Sequence, residues 1–424
     1  MRRARRALLT ATALLALVPA CSGSGSGGEA APPSDDGSTT TTTAPAHEPA
    51  AYEGELDGFY TDANEAPPTD LPHGTLLEYA VADDVPLGDA TAYRIAYTST
   101  SVAGDPIIVT GLASVPAGDA PDDGWPMLTI SHGTTGIADE CAPSKEPKAN
   151  EFTLVTGLAA DRYLVAATDY EGLGTPGRHP YLVGESEGRS SIDALLAARQ
   201  LPDANPSDRF ATVGYSQGGH GSLWTSQVAA DWAPDLELVG TFSGAPASEV
   251  GVIVAAAPVL PQAGFAYMVI AGIAAAYPDE ADPAELLTPL GLEKLDAVDE
   301  GCAQNTFAAV AGIDPKDLIQ DGAAAREPWS SLAKAQDAGT QKTYDAPVLV
   351  IHSEGDGTVP LGFSEILLGR MCANDQVVER RLIDAGGHTA AAVPAYQQAV
   401  AWLDARFAGD EGEGPTAITD SCPS

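Results

Sequence analysis

The chain has 424 residues, 44% of them hydrophobic, enough for one large domain with an insertion or for two domains. Its 59 acidic residues against 21 basic ones leave a formal charge of −38. Such a surface repels nucleic acid and anionic lipid headgroups, so nucleic-acid binding is excluded and the acidity serves solubility.

Residues 1–21 read as an export signal: a basic start (Arg2, Arg3, Arg5, Arg6), an apolar run from Ala7 to Val18, and a small-residue end, Val18-Pro-Ala-Cys21. Losing those arginines leaves the mature chain about four units more negative. A cysteine directly after such an end resembles a bacterial lipobox, whose thiol is lipidated and becomes the new N-terminus. Pro19 departs from that pattern, and cleavage near Ala20 is the alternative. The favoured reading is lipidation of Cys21, with the protein on the outer face of the cell membrane; free secretion is the other outcome. The tandem arginines also hint at twin-arginine export, with an incomplete motif. Residues 22–49 are rich in Gly and Ser, then Thr (Thr39 to Thr43), then Pro-containing. With little to bury, they are expected to form a disordered tether.

Two β-rich runs, Ala92 to Thr98 and Ile107 to Val115, flank Gly104-Asp105 and predict an antiparallel hairpin at one edge of a sheet. Further apolar runs follow at helical spacing: Met127 to Ile130, Tyr163 to Thr168, Phe210 to Val213, Leu238 to Phe242, Pro347 to Ile351 and Val377 to Leu382. Strands alternating with helices imply right-handed crossovers and a mostly parallel sheet with flanking helices, an α/β fold. Ligands gather at the carboxyl ends of such strands, and polar residues cluster there.

After the 127–130 strand comes Ser131-His-Gly-Thr-Thr-Gly136, a turn of the kind that lends a backbone N–H to an oxyanion. The expected donor is Thr134, or Thr135 if the register differs by one; His132 belongs to the turn. Asp169-Tyr-Glu-Gly-Leu-Gly174, after the next strand, lines the site or caps a turn. Phe210 to Val213 leads into Gly214-Tyr-Ser-Gln-Gly218 and a helix-like segment. This is a G-x-S-x-G elbow in its strand–turn–helix setting, with Ser216 as nucleophile and Gln217 as the second N–H donor. His352-Ser-Glu-Gly-Asp-Gly-Thr-Val-Pro360 offers Asp356, between two glycines, as the acid that orients a histidine; Glu354 is the competitor. Ile383-Asp-Ala-Gly-Gly-His388 then supplies the base, His388. His220, inside the helix after the elbow, should point away from the serine hydroxyl, and His47, His73 and His179 fall in the tether or in loops.

Residues 245–344 form an insertion between the 238–242 and 347–351 strands. It opens with the apolar runs Val250 to Leu260 and Ala263 to Tyr277, which Pro258, Pro261, Gln262 and Gly264 break into segments too short to span a bilayer. Two apolar helices forming a cap or lid over the strand ends are expected, on a core of residues 50–244 and 345–424. With Cys21 lipidated, Cys141, Cys302, Cys372 and Cys422 remain, an even number that suggests two disulfides. Three pairings are open; Cys141–Cys302 with Cys372–Cys422 is preferred. No clustered His/Cys spacing suggests a metal site.

With Ser216, Asp356, His388 and the His132-Gly-Thr-Thr-Gly136 turn in hand, residues 70–408 resemble the secretory lipase family, the lipase A-like branch of the α/β hydrolases. The resemblance rests on Gly214-Tyr-Ser-Gln-Gly-Gly219, on Cys141-Ala-Pro-Ser144 after the oxyanion turn, and on the insertion before the acid strand. It implies the α/β-hydrolase fold and hydrolysis of carboxylic esters, including acylglycerols, under a helical lid. Ser216 matches the family's nucleophile, Asp356 its acid and His388 its base. A cysteine before Ala-Pro-Ser that bridges to the cap supports Cys141–Cys302. The chemistry needs no metal or cofactor. A serine peptidase or amidase on the same fold, or a non-catalytic hydrolase-like lipoprotein, are the alternatives; oligomeric state is open.

Overall fold

The computed structural model describes residues 47–63, 66–259, 263–341, 346–410 and 412–422. The export signal, Cys21 and the tether as far as residue 46 lie outside the described residues. The chain divides into Met1–His47 and a compact unit, Glu48–Ser424.

The apolar runs form one sheet of ten strands: β1 (Ala50–Ala51), β2 (Leu76–Val81), β3 (Thr91–Thr100), β4 (Pro106–Val115), β5 (Trp125–Ser131), β6 (Leu164–Thr168), β7 (Pro206–Tyr215), β8 (Glu237–Gly244), β9 (Val348–Ser353) and β10 (Val378–Ile383). Their spatial order is β1-β2-β3-β4-β6-β5-β7-β8-β9-β10. From β6 to β10 every neighbouring pair is parallel, whereas β2, β3, β4 and β6 pair antiparallel. The expected hairpin is β3–β4, but it is not at the edge: β2 pairs outside β3, and β1 outside β2. Within β2 Leu76 is buried, residues 77–80 are half-buried and Val81 is exposed, and this weak burial contrast is why its sequence pattern does not announce a strand.

Because side chains alternate across a strand, neighbouring residues feed opposite cores. Met127, Leu164 and Phe210 pack on one face against α3 (Gly184–Ala198) and α4 (Gln217–Trp232). Leu128, Val165 and Val213 pack on the other against α2 (Glu151–Ala159) and α12 (His388–Phe407). α11 (Leu361–Ala373) covers Val348 and Val350. The remaining helix of the core, α1 (Leu56–Asp62), packs Phe59 and Tyr60 beside β3.

Between β8 and β9 the described residues form α5 (Val250–Ala256), α6 (Ala263–Ala276), α7 (Pro289–Leu295), α8 (Ala303–Val310), α9 (Pro315–Leu318) and α10 (Trp329–Ala335). Tyr267, Ile270, Leu286, Val298 and Trp329 bury an apolar cluster there. No helix among the described residues is long and apolar enough to cross a membrane.

Two disulfides tie this unit together. Cys141 is bonded to Cys302 and Cys372 to Cys422, each with Cα atoms 5.4 Å apart. The first spans 161 residues and joins the loop after β5 to the start of α8. Closing so long a loop removes much entropy from the unfolded chain, so replacing Cys141 and Cys302 together by serine should cost about 2–5 kcal/mol. Denaturant unfolding under oxidising conditions measures the loss; an unchanged midpoint would contradict it.

Candidate active site

The site is built where parallel strands end. β7 runs into α4 through Ser216, whose backbone sits at φ 61°, ψ −119°, outside the regions ordinary residues prefer. Two glycines permit this turn. A Cβ on Gly214 would lie 2.0 Å from the carbonyl oxygen of Gly218, and one on Gly218 would lie 2.0 Å from that of Ser131. The Ser216 N–H donates to Gly244 O at 2.8 Å, fixing the turn to β8. The hydroxyl is thereby lifted above the sheet at the N-terminus of α4.

His388 is the first residue of α12, just after β10, and Asp356 lies in the loop after β9. The structure brings both to Ser216. Asp356 Oδ2 accepts from His388 Nδ1 at 2.6 Å, which leaves Nε2 to accept from Ser216 Oγ at 2.9 Å. The Tyr215 hydroxyl donates to His388 O at 2.8 Å, so the residue before the serine also fixes His388. Asp356 Oδ1 accepts the N–H groups of Thr358 and Val359 at 2.8 and 2.9 Å. Burial opposes ionisation of Asp356, but His352 and His388 hold its carboxyl well below the usual carboxylate range. Glu354, the competitor, is exposed.

The turn after β5 lies against this centre. Thr134 Oγ1 meets the Tyr181 hydroxyl at 2.8 Å, while Thr135 O accepts the N–H of Ala303 at 2.8 Å. His132 is buried, with Nδ1 2.6 Å from Gly133 O and its ring packed on Tyr170. Asp169 turns its carboxylate to Thr110 Oγ1 and to the backbone N–H and hydroxyl of Ser144. Burial raises its pKa, opposed by those same bonds. It thus anchors the Cys141-Ala-Pro-Ser144 stretch.

Four buried residues, Glu187, His220, His179 and His352, stand out to which sequence reading gave no part in the site. Glu187, on α3, accepts from the Gln217 side chain at 3.0 Å and from Leu182 N at 3.2 Å, and its other oxygen meets His220 Nδ1 at 2.6 Å. The second nitrogen of His220 is 2.7 Å from Gln336 O, so both ring nitrogens of His220 are engaged. His179 Nε2 meets the Gln217 amide at 2.9 Å, and burial drives the pKa of His179 down to about 3. His352 packs Nε2 at 3.4 Å from Asp356 Oδ2. The one sequence signal for Glu187 is its company: Gly184, Ser186, Gly188, Ser190 and Ser191 are small enough to let α3 close on α4.

Beside the serine lies a cavity of about 180 Å³, lined by Ser216 and by apolar or aromatic side chains including Tyr181, Leu182, Phe265, Val269 and Phe363. A wider groove of about 710 Å³ adjoins it, with Phe265 and Thr358 bordering both. Among the described residues, no group of three or more His, Cys, Asp or Glu side chains could hold a metal ion.

The sequence profile of the secretory lipase family matches residues 148–414. The chain belongs to that family. A relative named "Probable inactive lipase" from Mycobacterium tuberculosis is 24% identical over 340 residues, 75% of this chain and 74% of the relative. A secreted triacylglycerol lipase of Malassezia globosa is 26% identical over 286 residues, 63% of this chain and 61% of that one. The chain therefore spans between three fifths and three quarters of these relatives' lengths. The X-ray structure of Candida antarctica lipase A superposes with a TM-score of 0.71 at 20% identity, covering 86% of this chain and 89% of that one. This chain thus has the α/β-hydrolase fold, and membership of a secretory family places it outside the cell, where disulfides persist.

The environment of Asp356 has a consequence for stability. A carboxyl whose folded pKa is depressed stabilises the fold above its unfolded pKa, near 3.9, and that stabilisation is lost as pH falls through the lower folded value. The difference in unfolding free energy between wild type and Asp356→Asn should therefore be constant above about pH 5 and shrink steadily below about pH 4. Denaturant melts from pH 7 to pH 2 check this; a difference that grows in acid would contradict it.

Proposed function

We propose that this protein hydrolyses carboxylic esters, acylglycerols among them, through an acyl-enzyme on Ser216. The observation that carries the reading is the unbroken line from Asp356 through His388 to Ser216, at 2.6 and 2.9 Å. His388 takes the hydroxyl proton as Ser216 Oγ attacks the ester carbonyl. Asp356 holds the imidazole in the tautomer with Nδ1 protonated and stabilises the imidazolium that forms. His388 then returns the proton to the leaving alcohol, and the acyl-enzyme is hydrolysed by water with His388 as base.

The tetrahedral oxyanion is stabilised by the N–H of Gln217, first residue of α4, and by the N–H of Thr134 or Thr135. The helix N-terminus supports the charge, which exists only in the transition state. Thr134 is favoured because its side chain meets Tyr181, which lines the cavity beside Ser216. The apolar lining of that cavity suits an acyl chain better than a peptide backbone, which would bring N–H and C=O groups needing partners. The Malassezia relative's name, a triacylglycerol lipase, supports acylglycerols as the ester class.

Residues 245–344 act as a cap over the strand ends, contributing Ala247, Ile253, Phe265 and Val269 to the cavity wall. On the N-terminal side, Cys21 is lipidated and residues 22–49 tether the enzyme to the outer face of the membrane. The motif ending at Cys21 supports this finer placement.

A second reading, a non-catalytic hydrolase-like protein, is favoured only by the name of the mycobacterial relative. One experiment separates the two. Wild type should turn over a p-nitrophenyl ester and be labelled by a fluorophosphonate at Ser216, and Ser216→Ala should lose about 10⁵–10⁶-fold in rate and all labelling. A wild type that is neither labelled nor active would establish the second reading; a panel of esters against peptides separates esterase from peptidase. For the anchor, bacterial expression with the leader and an alkyne fatty acid should label wild type and leave Cys21→Ser unlabelled in the medium. An unlabelled, freely secreted wild type would point to plain cleavage instead.

A further inference from the structure

The buried carboxylate of Glu187 is not part of the Ser216–His388–Asp356 line, yet it gathers several of the elements around it. Its side chain is fully shielded from solvent. Oε1 accepts from the Gln217 amide and from Leu182 N, and Oε2 faces His220 Nδ1. His220 Nε2 faces a carbonyl oxygen, Gln336 O, which only accepts, so that nitrogen carries a proton. A further proton must lie between Nδ1 and Oε2, and the Glu187–His220 pair is therefore neutral as a whole. That is the form in which such a pair is tolerated in a dry interior.

The segment from His179 to Val183 runs between the two sides of the expected oxyanion site. On one side His179 Nε2 accepts from the Gln217 amide, its Nδ1–H being directed at Glu171 O, 2.9 Å away. On the other the Tyr181 hydroxyl bonds Thr134 Oγ1 at 2.8 Å. Between them Leu182 adopts φ 56°, an unfavoured backbone for a leucine, with its N–H held by Glu187. Gln217 and Thr134 are far apart along the chain, and this short segment bonds to both.

We propose that Glu187 is a positioning residue: by fixing the His179–Val183 segment and the Gln217 side chain, it sets the separation of the two N–H groups that bind the oxyanion. The inference rests on the ester-hydrolase reading above and names a further residue that reading requires. An apolar side chain at 187 cannot replace it, because Leu182 N and the Gln217 amide would lose the acceptor they share and His220 Nδ1 its partner. A neutral amide can: its oxygen takes both N–H groups as Oε1 does, and its NH₂ donates to Nδ1 of a neutral His220 whose Nε2 keeps its proton.

Glu187→Leu should lower kcat for p-nitrophenyl butyrate by about 10–100-fold, less than the loss of a whole oxyanion donor, with KM within about twofold of wild type, whereas Glu187→Gln should keep kcat within about threefold of wild type. Tyr181→Phe, which removes only the hydroxyl bonded to Thr134, should lower kcat by about threefold to tenfold, again with KM held. The double variant Glu187→Leu with Tyr181→Phe should fall by less than the product of the two single losses, because both changes loosen one segment. Rates are expressed per serine titrated by fluorophosphonate, so a change that merely unfolds part of the sample does not register. A Glu187→Gln enzyme as slow as Glu187→Leu overturns the proposal, and so does a folded Glu187→Leu enzyme with wild-type kcat or with a change confined to KM. If that variant does not fold, wild-type kcat in Tyr181→Phe overturns it. An inactive wild type would instead remove the ester-hydrolase reading and this inference with it.

Discussion

Everything at the site depends on how closely the backbone of the elbow fits its neighbours. Ser216 holds a conformation that costs of order 1–3 kcal/mol in a free chain. It persists because β7 is locked between β5 and β8, and because α4 starts within touching distance of the end of β5. Glycine at 214 and 218 is the condition for that approach. The local cost is offset by sheet pairing and by burial of Phe210 and Val213, so a strained residue stands on a fully paired, buried strand.

Parallel topology then collects the other groups. β5, β7, β9 and β10 all end on the same side, so the turn at 132–136, Ser216, Asp356 and His388 meet although the latter three are separated by 140 and 32 positions along the chain. Small polar clusters hold each loop in register: Asp169 under the 141–144 stretch, His352 and the 358–359 amides around Asp356, Tyr215 against the first turn of α12. Each is a buried or half-buried polar group with partners, as low-dielectric surroundings demand.

Much of this was legible in the sequence because it is local. Gly214 to Gly218 carries its own strand and helix on either side, and Asp356 and His388 each follow an apolar run by a few residues. The parallel core is likewise written in runs such as Leu164 to Thr168, buried on both faces. What was not legible depends on contacts between distant segments. Glu187 reads as a surface acid until α3 is laid against α4 and His220 is found facing it. β2 escaped because its residues after Leu76 are half-buried or exposed, and α7 to α10 because short helices in an insertion have little periodicity to read. The 22–46 stretch and Cys21 lie outside the described residues, and their reading stays with the sequence.

The link between Cys302 and Cys141 also bears on how the enzyme could move. Next to it Gly136 and Cys302 form a β-bridge, and Ala303 bonds to Thr135 O. The 245–344 region is thus stapled, covalently and by main chain, to the loop that carries Thr134. That staple makes the start of α8 and the loop carrying Thr134 move together if either moves at all. Phe265 packs edge-on against Phe307 of α8, so the aromatic wall of the cavity is anchored through that helix to the same covalent knot.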